Sequence, residues 1–217
     1  VHALDHPGYG ASAPVPRETT GAAYLDLVHE LFVEMFPGDG PLRFAGFSFG
    51  AAIAANLARR LAPRVTHLCL VSPAGFPLRR FADRPTRSYR EAGEDEKLFR
   101  EICRHNLLVN MLSDPASITD ETLDIQADCV RRTRFNSRKV SGGGTLLGDL
   151  AELKCKIRLL WGVGDDSPFR PADLLIGEIR GVMTTALDVH RIPRAGHWSA
   201  YENAPEVNRL MLEFFSS

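Results

Sequence analysis

The segment at residues 46–50, with the sequence Gly-Phe-Ser-Phe-Gly, constrains the fold of this chain more than any other feature. A short apolar run at residues 42–47 leads into the serine, and small, helix-forming residues follow it at 51–58. Glycines on both sides of the serine permit a tight reversal between a buried strand and a helix. We therefore predict that Ser48 lies on a strand-to-helix turn, where its hydroxyl is raised clear of a sheet.

The rest of the chain alternates between strand and helix patterns. Further strands are predicted at residues 65–71, 157–161 and 187–192, and helical stretches separate most of them. Apolar residues recur at helical spacing over residues 24–35 and 207–215. This alternation predicts the α/β class, with a mostly parallel sheet that carries helices on both faces.

The start of the chain also follows a strand pattern. Residues 1–4 are predicted to end a strand, because they run directly into a glycine turn at residues 5–12. No earlier element exists in the sequence for such a strand to pair with. We therefore expect a longer natural chain and an α/β core that is incomplete on its N-terminal side.

A charged, helical insertion interrupts the alternation. Helical stretches are predicted at about residues 86–111 and 120–134, with prolines at 73 and 77 before them and a glycine triplet suited to a hinge at 142–144 after them. We predict that residues 1–74 and 146–217 form the α/β core. Residues 75–145 are predicted to form a helical cap, inserted after the third strand.

Ser48 has the surroundings that a catalytic serine needs. A serine hydroxyl is a poor nucleophile at neutral pH, so it requires a neighbouring base and hydrogen-bond donors for the oxyanion. The backbone N–H of Phe49, near the start of the following helix, is predicted to be one such donor. The alternative is that Ser48 only caps that helix, but a simple cap does not need glycine on both sides.

One histidine and two aspartates can complete a catalytic set. Among the seven histidines, only His197 follows a strand through a glycine turn and precedes a helical C-terminus. Asp165 and Asp166 both follow the strand at 157–161, where an acid could orient the imidazole. We choose Asp165 as the acid and keep Asp166 as the alternative; the one not used is expected to bond the local backbone.

These motifs resemble those of the α/β-hydrolase superfamily. The resemblance is carried, in order, by Asp5-x-Pro7-Gly8-x-Gly10-x-Ser12, the turn around Ser48, Trp161-Gly162-x-x-Asp165 and Gly196-His197. It implies that a second oxyanion donor comes from a loop upstream of residue 1, and loss of such a donor costs roughly 2.7–4 kcal/mol in a comparable site. Serine at position 48 argues against the branches of the superfamily that use an aspartate nucleophile.

A narrower resemblance involves the C-terminal motif. Gly196-His197-Trp198, followed by Glu202-Asn203-Ala204-Pro205 and Asn208-Arg209, is similar to the meta-cleavage-product hydrolases, which split carbon–carbon bonds in aromatic degradation. Those enzymes usually carry asparagine before the serine, whereas position 47 here is phenylalanine. We predict that Phe47 and Trp198, together with Phe49, help to wall the substrate pocket.

Composition limits the choice of partners. The 26 basic and 27 acidic residues give a net charge of -1, which offers no reason to expect nucleic acid or an anionic membrane. A small-molecule substrate is expected, with no metal or other cofactor, and the oligomeric state stays open. Four cysteines without a C-x-x-C pair predict buried free thiols in a reducing compartment, hence the cytoplasm: Cys69, Cys103, Cys129 and Cys155.

The insertion contains a basic cluster. It consists of Arg131, Arg132, Arg134, Arg138 and Lys139. Asp124 and Asp128 lie on the preceding helical stretch, and Asp128 is at helical spacing from Arg131 and Arg132. A salt-bridged, solvated face is the favoured interpretation, and recognition of a substrate carboxylate is the alternative.

Together these features predict a lidded serine hydrolase. Ser48 would attack a small ester-like acyl compound, His197 would shuttle the proton, and Asp165 would orient the base; water would then release the acyl-enzyme. One alternative keeps this set of residues but cleaves a carbon–carbon bond of a dienoic diketo acid. The other is a non-catalytic, receptor-like binding module.

Overall fold

The computed structural model describes residues 1–76 and 85–217. Within them, four parallel strands form one sheet in the order β1-β2-β3-β4. The strands are β1 (Leu42–Phe47), β2 (Val65–Val71), β3 (Lys156–Gly162) and β4 (Leu187–Ile192). The predicted α/β class is confirmed. The central strands β2 and β3 are almost entirely buried, as expected for a parallel sheet covered on both faces.

Helices connect the strands and cover the sheet. They are α1 (Gly21–Met35), α2 (Phe49–Arg60), α3 (Glu96–Asn110), α4 (Asp120–Arg132), α5 (Arg138–Ser141), α6 (Leu146–Ala151), α7 (Ala172–Val182), α8 (Ser199–Glu202) and α9 (Ala204–Phe215). The small residues of α2 are buried along most of its length, so this helix lies close to the sheet. None of the helices in the two described ranges is both long and apolar enough to span a bilayer.

The two faces of the sheet pack against different helices. Because side chains alternate along a strand, Leu68 and Leu70 of β2 join the cluster formed with α1, α2, α6 and α7. Cys69 and Val71 point the other way and pack with Val207 and other buried residues of α9. Helices therefore cover both faces, and α9 lies on the face opposite α2.

The helices between β2 and β3 have an apolar cluster of their own. It contains Cys103, Leu107, Leu112, Ile118, Leu123 and Ala127, and partly buried Trp198 and Tyr201 pack against it from the C-terminal part of the chain. The cap boundaries at 75 and 145 stay a prediction. Pro77, at the predicted start of the insertion, lies outside the described residues.

Three details of the sequence-based expectations are wrong. Residues 1–4 take part in no strand pairing, so the insertion follows the second strand of the sheet and not the third. Cys129 is exposed, because it lies beside Asp128 on the solvent side of α4, whereas Cys69 and Cys103 are buried. The helix predicted from residue 86 is interrupted by Gly93, with a φ of 52°, before Asp95 caps α3.

Candidate active site

Ser48 lies on a strained turn between β1 and α2. Its φ of 50° and ψ of -112° form a conformation that residues with a side chain rarely adopt. The Ser48 N–H donates to the carbonyl of Val71 at 2.9 Å, and the Ser48 carbonyl accepts the N–H of Ala74 at 3.0 Å. The end of β2 thus holds the turn in place. The Ser48 side chain makes no capping hydrogen bond to α2, which is contrary to the helix-cap alternative.

The two glycines that flank Ser48 have different roles. A Cβ at Gly46 would lie 2.4 Å from the carbonyl oxygen of Gly50 and 2.6 Å from the Cα of Ala51. A Cβ at Gly50 would meet nothing within 4 Å. The steric need for glycine therefore applies to position 46, where the turn brings the start of α2 against the end of β1.

Three of the predicted side chains form one hydrogen-bonded chain. The hydroxyl Oγ of Ser48 lies 2.9 Å from Nε2 of His197, and Nδ1 of His197 lies 2.8 Å from Oδ2 of Asp165. With Asp165 ionised, Nδ1 carries the imidazole proton and donates it to the carboxylate, which leaves the Nε2 lone pair to accept from Ser48. In this arrangement His197 can remove the Ser48 proton as the oxygen attacks a carbonyl.

Asp165 is held from several sides. Arg170 donates from Nη1 to Oδ1 of this carboxylate, the oxygen that His197 leaves free. Trp161 donates from its indole nitrogen to the backbone carbonyl of Asp165 at 2.9 Å. Burial raises the pKa of the Asp165 carboxyl, but the hydrogen bonds and charges of His197 and Arg170 outweigh that effect, so the pKa lies below its ordinary value. Asp165 therefore stays ionised beside the imidazole.

Asp166 lies elsewhere. Its carboxylate accepts the backbone N–H of Ala172 at 3.0 Å, at the start of α7, and the residue is exposed. This is the local backbone role that was expected for whichever aspartate does not meet the histidine. The geometry favours Asp165 over Asp166 as the partner of His197.

A carboxylate that sequence reasoning missed supports the loop of His197. Glu202 accepts the backbone N–H groups of Ser113 at 2.8 Å and Asp114 at 2.9 Å, and its other oxygen accepts the N–H of Gly196. The loop after α3 is thereby tied to the residue that precedes His197. The only sequence signal was the place of Glu202 in the C-terminal motif, which indicated no partner.

Two features of Phe49 concern the site, namely its backbone N–H and its place in the cavity wall. It is the first residue of α2, so helix geometry gives its N–H no acceptor within the helix. The residue also lines the cavity next to Ser48. Both features fit the predicted oxyanion donor, which stays a prediction.

Ser48 and His197 open into a cavity of about 960 Å³ with a polar wall. Residues with hydroxyl and amide side chains from the segment between β2 and β3 line it, among them Ser88, Asn106, Gln126 and Ser137. The guanidinium-bearing residues Arg87, Arg138 and Arg170 line it as well. Among the described residues, the wall contains no aspartate or glutamate. The cavity is therefore electropositive and rich in hydrogen-bonding groups.

Phe47 and Trp198 do not line this cavity, which corrects their predicted placement in the pocket wall. Phe47 ends β1 with its side chain on the α9 face, and its ring lies 4.9 Å from the His197 ring, centroid to centroid. Trp198 donates its backbone N–H to the carbonyl of Met111 at 2.8 Å, and its ring stacks on Tyr201. Both aromatic residues therefore lie next to the His197 loop but outside the cavity wall.

The basic cluster of the insertion is divided among three roles. Arg132 pairs with Asp128 at 2.8 Å as the helical spacing indicated, whereas Arg131 pairs with Glu96. Arg134 and Lys139 donate to backbone carbonyls of the segment before α1. Arg138 lines the cavity, and the described residues offer its guanidinium no carboxylate partner. The solvated-face interpretation therefore fits part of the cluster, and the carboxylate-binding alternative stays open for Arg138.

The parallel sheet and the serine turn define the class of this protein as a hydrolase of the α/β type. The chain belongs to the alpha/beta hydrolase family, whose sequence profile matches residues 1–210. The described residues contain no group of three or more histidine, cysteine, aspartate or glutamate side chains placed to hold a metal ion.

Curated relatives agree with the narrower resemblance. The chain is 28% identical over 222 residues to the 2-hydroxy-6-oxo-6-phenylhexa-2,4-dienoate hydrolase of Comamonas testosteroni, which covers 97% of this chain and 74% of that protein. It is 25% identical over 233 residues to the 2-hydroxy-6-oxononadienedioate/2-hydroxy-6-oxononatrienedioate hydrolase of Cupriavidus pinatubonensis, covering 99% and 75%.

A solved structure supports the same fold. The meta-cleavage product hydrolase from Pseudomonas fluorescens IP01 superposes with a TM-score of 0.73 at 19% identity, covering 97% of this chain and 77% of that one. At this identity the likeness shows the fold alone. Taken together with the curated relatives, this match confirms the predicted resemblance to the meta-cleavage-product hydrolases.

Proposed function

We propose that this protein is a serine hydrolase that cleaves a small ester-like acyl compound through a covalent acyl-enzyme. Ser48 is the nucleophile, His197 the general base and acid, and Asp165 the residue that orients His197. The observation that carries this proposal is the chain of hydrogen bonds from Asp165 through His197 to Ser48 at the floor of the cavity.

The proposed reaction has two halves. Oγ of Ser48 attacks the carbonyl carbon as its proton moves to Nε2 of His197, and the carbonyl electrons form an oxyanion near the Phe49 N–H. The oxyanion collapses, and the leaving alcohol departs with the proton from His197. A water molecule then gives its proton to His197 and attacks the acyl carbon, which forms a second oxyanion. When this oxyanion collapses, the bond to Oγ breaks, His197 returns the proton to Ser48, and the acid is released.

The wall of the cavity favours an anionic substrate. Arg87 is paired with Glu91 at 3.0 Å, and Arg170 is paired with Asp165. Arg138, an exposed residue at the edge of the cavity, has no carboxylate partner among the described residues, and the described part of the cavity wall contains no acidic residue. A substrate carboxylate near Arg138 would gain a charge-assisted hydrogen bond. We therefore infer that the acyl compound carries a carboxylate.

Covalent labelling and turnover together test the nucleophile. The wild-type protein, Ser48→Ala and the control Ser216→Ala, at an exposed position after α9, are treated with a fluorophosphonate and assayed with a short p-nitrophenyl ester. Wild type and Ser216→Ala should both be labelled and should both turn over the ester. Mass spectrometry of their peptides should place the label on Ser48. Labelling of Ser48→Ala to the same extent would overturn the proposal. Absence of labelling in wild type would favour the receptor-like alternative.

A second candidate function is hydrolysis of a carbon–carbon bond in a dienoic diketo acid. It is favoured by relatives named as dienoate and dienedioate hydrolases over nearly the whole chain. Such a reaction uses the same nucleophile, but its leaving group is a carbanion that must be stabilised and protonated. Loss of colour from a ring-fission product, compared with ester turnover by the same enzyme, distinguishes the two. A kcat/KM that is higher for the ring-fission product would select this second candidate.

A further inference from the structure

The carboxylate of Asp165 divides its two oxygens between two partners. Oδ2 meets His197, and Oδ1 accepts from the guanidinium of Arg170. The side chains of Asp165 and Arg170 are only 2% and 8% exposed. The cost of removing an ion pair from water is offset only when its geometry is good and further hydrogen bonds satisfy its remaining donors.

The remaining donors of Arg170 reach the insertion. Nη2 donates to the side-chain oxygen of Asn110 at 2.9 Å, and Nη1 lies 3.5 Å from the Asn110 carbonyl oxygen. Asn110 is the last residue of α3. The guanidinium therefore links the end of an inserted helix to the acid that holds His197.

We propose that Arg170 is a positioning residue that fixes the Asp165 carboxylate against His197 and sets, by its charge, the pH range in which His197 acts as a base. This inference rests on the proposed function of the Ser48 site.

The electrostatic part of the proposal follows from the charges. A carboxylate with no other partner favours the protonated imidazolium, which cannot accept the Ser48 proton. The Arg170 cation at the opposite oxygen offsets that attraction, so more of His197 is neutral at a given pH. Burial raises the pKa of Asp165, whereas the hydrogen bond and charge of His197, together with the charge and hydrogen bond of Arg170, hold it below its ordinary value.

Other charged or titratable groups also surround the site. Arg87 and Arg138 line the cavity, Glu202 accepts the N–H of Gly196, the His6 ring lies 6.2 Å from that of Phe49, and Asp166 follows Asp165 in the chain. All of them are unchanged when Arg170 alone is replaced. A difference in pH dependence between wild type and an Arg170 variant therefore reports the Arg170 charge.

The test compares Arg170→Met, Arg170→Lys and Asn110→Ala by the pH profile of kcat/KM. Arg170→Met should shift the acidic limb of the profile to higher pH by about one unit, because the Asp165 carboxylate, no longer paired with a cation, stabilises the imidazolium of His197. Arg170→Lys and Asn110→Ala retain a positive charge at this position. Their maximal kcat/KM should therefore fall, while the acidic limb of the profile stays at nearly the pH of wild type. An unshifted limb in Arg170→Met, or an equal shift in Asn110→Ala, would overturn the proposal.

A second measurement does not depend on turnover. NMR titration of the His197 ring, assigned with His197→Gln in protein labelled at histidine, should give a midpoint about one unit higher in Arg170→Met than in wild type. Equal midpoints would refute the role of Arg170 even if the enzyme is active. If no substrate is turned over but the midpoints differ, the proposed function fails and the electrostatic role of Arg170 stands. If Arg170→Met does not fold, Arg170→Gln replaces it in both measurements.

Discussion

The Glu202 carboxylate accepts the backbone N–H of Ser113 at 2.8 Å, across 89 residues of sequence. The same side chain accepts the N–H of Gly196, immediately before His197. The position of the candidate base therefore depends on a contact between the insertion and the C-terminal helices.

Replacement of Glu202 by glutamine should weaken both the fold and the site. Both carboxylate oxygens accept backbone N–H groups, so in either orientation the glutamine amide would direct its NH₂ at a donor. We expect the free energy of unfolding in urea to fall by about 1–3 kcal/mol. We expect kcat to fall roughly ten- to hundredfold as His197 shifts. The control Glu206→Gln, on the surface of α9, should change both far less; an equal loss in the control would contradict the role of Glu202.

The two glycines of the serine turn should respond in opposite ways to alanine. Gly46→Ala places a Cβ 2.4 Å from the Gly50 carbonyl oxygen, so it should destabilise the fold by about 1–3 kcal/mol or more and displace Ser48. Gly50→Ala meets nothing within 4 Å and lies in a helix, so stability should hold or rise by up to about 1 kcal/mol. Thermal unfolding and fluorophosphonate labelling measure the pair. A stability loss at position 50 as large as at position 46 would refute the steric argument.

Local patterns were enough to predict most of the fold. The bounds predicted for β1, β2 and β4 match the structure, because each strand is a short segment with regularly placed apolar residues that ends at turn residues. Residues 1–4 have a similar pattern but pair with no strand among residues 1–76 and 85–217, and a strand requires a neighbour as well as a sequence.

The sequence could predict only those site residues that lie in a recognisable turn after a predicted strand. Ser48 and His197 lie in turns of recognisable sequence, and the structure brings them within hydrogen-bonding distance. The contact of Arg170 with Asn110 joins residues 60 positions apart through the packing of the insertion, and no local pattern indicates it. Phe47 and Trp198 were misplaced for a related reason, because the direction of a side chain depends on which face of the fold it joins.

Replacement of Arg138 by methionine tests the electropositive wall of the cavity. Loss of a charge-assisted hydrogen bond should lower kcat/KM for a carboxylate-bearing ester roughly tenfold. The corresponding methyl ester, which lacks that charge, should be affected less. Arg132→Met removes a like charge from the same basic cluster, but its guanidinium pairs with Asp128 away from the cavity. Equal effects of the two variants on the anionic ester would show that net charge, and not Arg138 itself, is responsible.

The partners of Asp165 should be visible in the acid denaturation of the protein. Its pKa in the folded state lies below the ordinary 3.8, because His197 and Arg170 outweigh the opposing effect of burial. A depressed carboxyl pKa stabilises the fold above the unfolded pKa, and this stabilisation is lost as the pH falls through the folded pKa. From about pH 5 downward, the free energy of unfolding of wild type should therefore fall more steeply than that of Asp165→Asn. Urea unfolding at successive pH values measures both slopes, with Asp166→Asn as the control for an exposed carboxylate. Asp165→Asn also loses the ion pair with Arg170, so its free energy of unfolding is expected to be lower at every pH. Only the difference between the two slopes therefore reports the titration of Asp165. Parallel slopes would mean that the Asp165 charge is not stabilised by these partners.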